Sequence, residues 1–479
     1  MSAPVDLIAY GSRVGEMTAY TTGYNALRGL AGYSRQLIQD HGHDNLKMGF
    51  VQLDNVQNYH RKRDQRMGSM NKMNIGIAAT YCELEETDIT AFDLMDKRLR
   101  IAENRRASLT VEQLASFLDQ KHLNTVFPLH WLRILTHYIL ELSPEKSKVS
   151  ELFRQHATKL QVPVKATKVH PLASSGKNET VTSELKDALV DFLGQMGQTE
   201  QDNTGQIILA GGDGLTYQKM IDLKRYLQFH RDPFQSLEVL EPILSPWHTE
   251  WTDLSRIFEV HWDSLMSTDP SSLGHSAAQI GRPAPSSLKK VDYYPSAELM
   301  YLVLDVRILD CWRYFMALFF IDRANEYLNV PYRTYFGCEN LFEHFSEKAA
   351  AQALPTIEEL HIIAQQLHYA YSSTNGIYHA LHDTSIETGS TWAQTVRLGS
   401  AWTAPSNFTS SQPHCPAPQT KKKIDSDVPD RKGRHVKGDR VLANSITFMR
   451  DAMFSREMSY AIAEGDAGRV YEVMKVYIF

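Results

Sequence analysis

Gln206-Ile-Ile-Leu-Ala-Gly-Gly-Asp213-Gly-Leu-Thr-Tyr217 decides how this chain is read. Four apolar residues bounded by turn formers predict a short buried strand, and the glycines let the backbone turn sharply just before Asp213. Ligands of open α/β sheets gather outside the carboxyl ends of the strands, so Asp213 stands where chemistry is usually placed. An earlier stretch, Lys47-Met-Gly-Phe-Val-Gln-Leu-Asp54-Asn55, has the same form: an apolar run ending in an acid. Together they predict a pair of carboxylates, Asp54 and Asp213, at one edge of a sheet. A plainer alternative stays open, in which each Asp starts a turn or caps a helix.

Outward from this pair, Ser183-Glu-Leu-Lys-Asp-Ala-Leu-Val-Asp-Phe-Leu-Gly reads as an amphipathic helix, capped by Ser183 or Thr182, that delivers the chain to the Asp213 strand. Residues Tyr217 to His230 read as a helix carrying Lys219, Lys224 and Arg225. Leu237 to Leu244 reads as a further strand, bent or held at an edge by Pro242. His248 then opens a helix beside a strand end. It is a candidate proton carrier, metal ligand or nucleic-acid contact, set against the commoner role of a structural hydrogen bonder. Tyr59-His-Arg-Lys-Arg-Asp-Gln-Arg66 is a dense basic run just beyond Asp54. Arg61, Arg63 and Arg66 are candidate phosphate forks, and a solvated face is the alternative. Met67 to Thr80 predicts a turn and a second strand, and Pro163 to Lys177 a connecting loop.

These elements predict an α/β fold, helix-rich overall, with a mixed-sheet core and large helical insertions. The boundaries follow composition: a helical segment over 1–45, then an α/β core over 46–265 with a helical insertion at about 88–160. A helical insertion lobe covers 266–402, a disordered basic linker 403–440, and C-terminal helices packing on the core 441–479. The final helix stops within an apolar run, which suggests a chain cut short.

A net charge of -6 gives no global case for nucleic-acid binding, so any basic surface has to be local. The four cysteines, Cys82, Cys311, Cys338 and Cys415, are scattered without metal-ligand spacing and read as reduced thiols. With no signal peptide and no apolar run long enough for a bilayer, an intracellular protein, nuclear or cytoplasmic and away from membranes, is expected.

Several blocks carry a resemblance. Leu53-Asp-Asn-Val-Gln, Arg63-Asp-Gln-Arg-Met-Gly, Gly76-Ile-Ala-Ala-Thr, Gly212-Asp-Gly-Leu-Thr, Trp247-His-Thr-Glu-Trp, Leu273-Gly-His-Ser-Ala and Val291-Asp-Tyr-Tyr-Pro occur in order. Phe448-Met-Arg-Asp-Ala and Glu464-Gly-Asp-Ala-Gly-Arg-Val-Tyr-Glu follow. Over roughly residues 20 to 479 the chain resembles a fungal family of domains of unknown function, number 6589. That family carries no established activity, and its related sequences continue beyond the point where this chain stops. The pattern is also similar to ribonuclease-H-like transposases of the acid-acid-glutamate class.

The transposase resemblance implies a ribonuclease-H-like core holding magnesium, or manganese, between carboxylates for phosphoryl transfer on DNA. Asp54 and Asp213 would be the metal ligands. Glu457 on the penultimate helix is the expected third acid, with Glu250 as runner-up, and His248 an accessory proton or phosphate contact. Arg61, Arg63, Arg66 and Lys219 would face the nucleic acid. DNA and a second copy of the chain are the partners held open. The alternative is a non-catalytic remnant of a mobile element that binds DNA or protein, or a decaying reading frame.

Overall fold

The computed structural model describes residues 5–61, 70–202, 205–230, 232, 234–327, 356–382 and 439–477. Most of the expected linker, residues 403–438, lies outside them, as do Arg63, Arg66, Cys338 and Cys415. The chain divides into two compact units, Met1–Thr110 with Lys165–Thr249, and Val111–Val164 with Glu250–Phe479.

The first unit holds a mixed sheet of β1 (Met48–His60), β2 (Lys72–Leu84), β3 (Val169–Pro171), β4 (Ile208–Gly212) and β5 (Leu240–Leu244), in the order β3-β2-β1-β4-β5. β2 runs antiparallel to β1 and β3, while β4 lies parallel to both β1 and β5. A mixed five-stranded sheet in a helix-rich chain agrees with the expected fold class and is compatible with a ribonuclease-H-like core. Side chains alternate along β1, with Val51 and Leu53 buried and Asp54 exposed, as a strand period of two requires. The buried set packs on Leu185, Leu189 and Phe192 of the helix Thr182–Gln195 and on Met220 and Leu223 of the helix Gly214–Leu227. Each such side chain contributes about 1.5–3 kcal/mol on burial.

Three local readings differ. β1 does not stop at Asp54: it pairs with β2 through His60, because antiparallel partners continue to its last residue. The expected loop from Pro163 to Lys177 contains β3, a strand of 3 residues, too short to leave a periodic signal. The helix Thr182–Gln195 has no side-chain cap from Thr182 or Ser183; Glu184 instead reaches back to the Asn178 backbone N–H at 2.7 Å. Pro242 does lie in the edge strand β5, where a missing N–H costs no ladder bond inside the sheet.

The second unit is helical. Its core joins Trp131 and Leu135 of Gln120–Tyr138, Phe258 of Pro246–His261, Trp312 of Tyr293–Tyr327, Leu360 of Ile357–Tyr371 and Phe448 of Arg440–Glu464. Residues 111–164 interrupt the sheet in sequence, between β2 and β3, yet pack within this helical unit. The C-terminal helices Arg440–Glu464 and Ala467–Tyr477 also belong to it, with Gly465 at φ 70° ending the first of them. Within this unit Asp305 accepts from Arg456 at 2.6 Å and from Tyr138 at 2.9 Å. Among the described residues no helix is long and apolar enough to cross a membrane.

Candidate functional site

β1 and β4 are neighbours, and Gln52 pairs with Gly211 in parallel register. Asp54 and Asp213 each follow two residues later, Asp54 within β1 and Asp213 as the first residue past β4, so both acids come just beyond the carboxyl end of the parallel pairing. Of the two glycines before Asp213, Gly212 is required there and Gly211 makes room for the Gln52 side chain. A Cβ on Gly211 would come within 2.3 Å of the Gln52 amide oxygen, and one on Gly212 within 2.7 Å of Thr216 Cγ2. Without them the Gln52 amide could not lie over the strand, nor could the next helix start so close to it.

Asp213 caps that helix, its Oδ1 accepting the Thr216 N–H at 2.7 Å. The plainer reading of this residue therefore holds for one of its oxygens. Asp54 caps nothing. It is an exposed side chain within a strand.

A third acid, which the sequence did not single out, belongs to this neighbourhood. Glu179 lies in the turn between β3 and the helix Thr182–Gln195 and is 1% exposed. It accepts from the Thr216 hydroxyl at 3.1 Å, and the Asn55 side chain also favours its charged form. Burial pushes its carboxyl above the ordinary range, and the negative charges of Asp213 and Asp54 push it the same way, against Thr216 and Asn55. Asn55 Oδ1 is buried and, among the described residues, has no hydrogen-bond partner. Nothing local marks Glu179 as functional. The visible signal is the Asn178–Thr180 turn, in which Asn178 Oδ1 takes the Thr180 N–H at 3.0 Å.

The remaining candidates are placed as follows. His248 sits in the first turn of the helix after β5, its ring 4.7 Å from that of Trp247. β5 ends at the same edge as β4, because Gly212 pairs with Leu244 and the Ser245 N–H donates to the Gly212 carbonyl at 3.2 Å. Lys219 is half-buried on the helix that Asp213 caps. Arg61 is exposed just past the end of β1. Seven residue steps separate it from Asp54, about 24 Å at ~3.4 Å per step.

Glu457 lies in the helical unit and is 0% exposed. Its Oε1 accepts from Arg469 Nε at 2.7 Å, and its Oε2 from Arg469 Nη2 at 2.8 Å and from His130 Nε2 at 2.5 Å. Glu250, also in that unit and buried, accepts from the Ser459 hydroxyl. Protein partners thus account for both carboxylates without a metal.

Asp54, Asp213 and Glu179 offer only oxygen, the donor that suits a hard divalent ion. Among the described residues no three His, Cys, Asp or Glu side chains converge closely enough to cage one. The fit is to an ion held by one or two carboxylates that keeps much of its water, which is magnesium's habit rather than zinc's.

No curated protein and no solved structure matches the chain. A family model does, over residues 104–479, a shorter reach than the expected 20 to 479. The match takes in Glu179, Asp213 and both C-terminal helices and begins after β1 and β2, so Asp54 lies before it. With more than half of its length matched, the chain belongs to the family of unknown function DUF6589.

Proposed function

We propose that the carboxyl edge of β1 and β4 is an open divalent-cation site of a protein derived from a DNA transposase, serving phosphoryl transfer on a DNA strand. The observation that supports this reading is the parallel register of Gln52 with Gly211, each two residues before its acid. A bound magnesium or manganese ion would supply positive charge against a phosphoryl group. Asp54, exposed, and Asp213, fixed by its cap, are the residues that would hold it.

The protein's own groups have distinct parts in this reading. Without a cation, two carboxylates repel phosphate, so DNA affinity rests on nearby bases. Arg61, about 24 Å from Asp54, is about seven nucleotides away at ~3.4 Å per nucleotide of one strand. It would track the backbone at a distance and take no part at the reacting phosphate. Lys219, on the helix that Asp213 caps, and His248, just past β5, are the candidates for a phosphate contact and a proton carrier.

Two observations favour a second reading, that of a non-catalytic DNA- or protein-binding remnant: Asp213 Oδ1 already serves the helix cap, and among the described residues no three such side chains converge. Calorimetry with magnesium and manganese on the wild type and the Asp54→Asn, Asp213→Asn double variant separates the two. Binding that vanishes in the variant supports the cation site and leads to strand-cleavage assays. No binding by a folded wild-type protein would leave the remnant reading.

A further inference from the structure

Glu179 has no role yet in that reading, and its surroundings give it one. A buried carboxylate persists only where its oxygens are hydrogen-bonded. Here the donor is Thr216 in the first turn after β4, and Asn55 on β1 is a second polar neighbour. Asn55 directly follows Asp54. Thr216 gives its hydroxyl to Glu179 at 3.1 Å and its backbone N–H to Asp213 at 2.7 Å. Contacts therefore run from Glu179 through Thr216 to Asp213, with Asn55, the residue after Asp54, as a further polar neighbour of Glu179.

The support under Glu179 is itself fixed. Asn178 accepts from the Thr180 N–H and hydroxyl at 3.0 and 2.8 Å, and the Val181 N–H closes on the Asn178 carbonyl at 3.1 Å. Glu184 holds the Asn178 N–H at 2.7 Å. On the other side, the bare Cα of Gly212 lets Thr216 approach the strand end. An apolar side chain at 179 would fill the space without holding Thr216.

We propose that Glu179 is a positioning residue that holds Thr216 beside Asn55 and so fixes Asp213 where a divalent cation would bind. This inference rests on the cation site proposed above. Hydrogen-bonded partners of ligating carboxylates typically alter metal affinity by about 10–100-fold when removed. Glu179→Gln keeps a carbonyl oxygen for the Thr216 hydroxyl and brings an amide that can donate to the unpartnered Asn55 Oδ1, so it preserves the link while removing the charge.

The test is manganese titration by calorimetry on the full chain, with far-UV circular dichroism melts of every variant. Glu179→Ala is expected to weaken binding by about 10–100-fold, and Glu179→Gln to stay close to wild type. Should Glu179→Ala fail to fold, Thr216→Val decides, since it deletes the hydroxyl and keeps both the volume and the cap N–H; a loss of about tenfold is expected there. Wild-type affinity in a folded Glu179→Ala, or in Thr216→Val, would overturn the inference while leaving the cation site standing. Equal loss in Glu179→Gln and Glu179→Ala would make Glu179 a ligand instead. No manganese binding by the wild type would sink the cation site, and the positioning role with it.

Discussion

Arg469 grips Glu457 through two parallel hydrogen bonds, Nε to Oε1 at 2.7 Å and Nη2 to Oε2 at 2.8 Å, with the two side chains 2% and 0% exposed. A two-pronged pair in so dry a place holds the last two helices against each other. Glu457→Gln leaves the guanidinium buried beside half an acceptor. Loss of one partner of a buried pair costs about 3–5 kcal/mol. Urea unfolding should show a shift of that order in the helical unit, and manganese affinity of the folded fraction should not change. A folded Glu457→Gln protein that has lost manganese binding would put this residue back among the ligands.

Asp213 has two separable duties, since Asn and Asp cap helices about equally well. Asp213→Asn should melt close to wild type and lose cation binding. Asp213→Ala should lose the binding and also about 1 kcal/mol of stability. A large drop in stability with Asn would mean that the charge itself, and not the cap, holds the strand end.

The two glycines before Asp213 should respond unequally to alanine. At Gly212 the new methyl meets Thr216 Cγ2 at 2.7 Å and Cβ at 2.8 Å, and two hydrogen bonds keep Thr216 from moving aside. The expected cost is about 1–3 kcal/mol. At Gly211 the first obstacle is Gln52 Oε1, the end of a flexible side chain that can swing away. Thermal melts of Gly212→Ala and Gly211→Ala should fall in that order; the reverse order contradicts this account of the strand end.

The helical unit should lose stability in mild acid. Burial, against the pull of Glu457, holds His130 down to about 4, and burial alone holds His368 down to about 3. Their unfolded values are near 6.5, so as pH drops below that the unfolded chain takes up protons which the folded one refuses. The stability these neutral rings confer is complete above pH 6.5 and fades as pH falls through the folded values. Each ring contributes a slope of about 1.4 kcal/mol per pH unit within its window. Melting temperatures read between pH 7 and 4 should decline, and His368→Leu should flatten the decline. An unchanged profile in His368→Leu would mean that the ring is already charged in the fold.

Much of the sheet could be read from residues. The apolar run before Asp213, the alternation through Val51 and Leu53, and Pro242 at an edge each have a local cause. Glu179 could not be found this way, because its neighbours Asn55 and Thr216 lie far off in sequence and only the packed sheet joins them. Glu457 misled for the opposite reason. An acid on a long amphipathic helix looks the same whether it awaits an ion or an arginine, and Arg469 twelve positions later carries no local mark of the pairing. β3 was invisible because three residues hold no period.

β1 and β2 outrun the rest of the sheet. Past Gln52, β1 has lost β4, and beside β2 the bridge between Ile77 and Ser175 is the last among the described residues. From Val56 paired with Gly76 to His60 paired with Lys72, the two strands form a ribbon with no third strand among the described residues, about 14 Å long at ~3.4 Å per residue. Paired strands without a third neighbour are marginal in water. Amide exchange should therefore be slow up to Asn55 and fast beyond it, a break in tempo within one continuous strand. Asp54 stands on the steady side of that break, one step from where the sheet begins to yield.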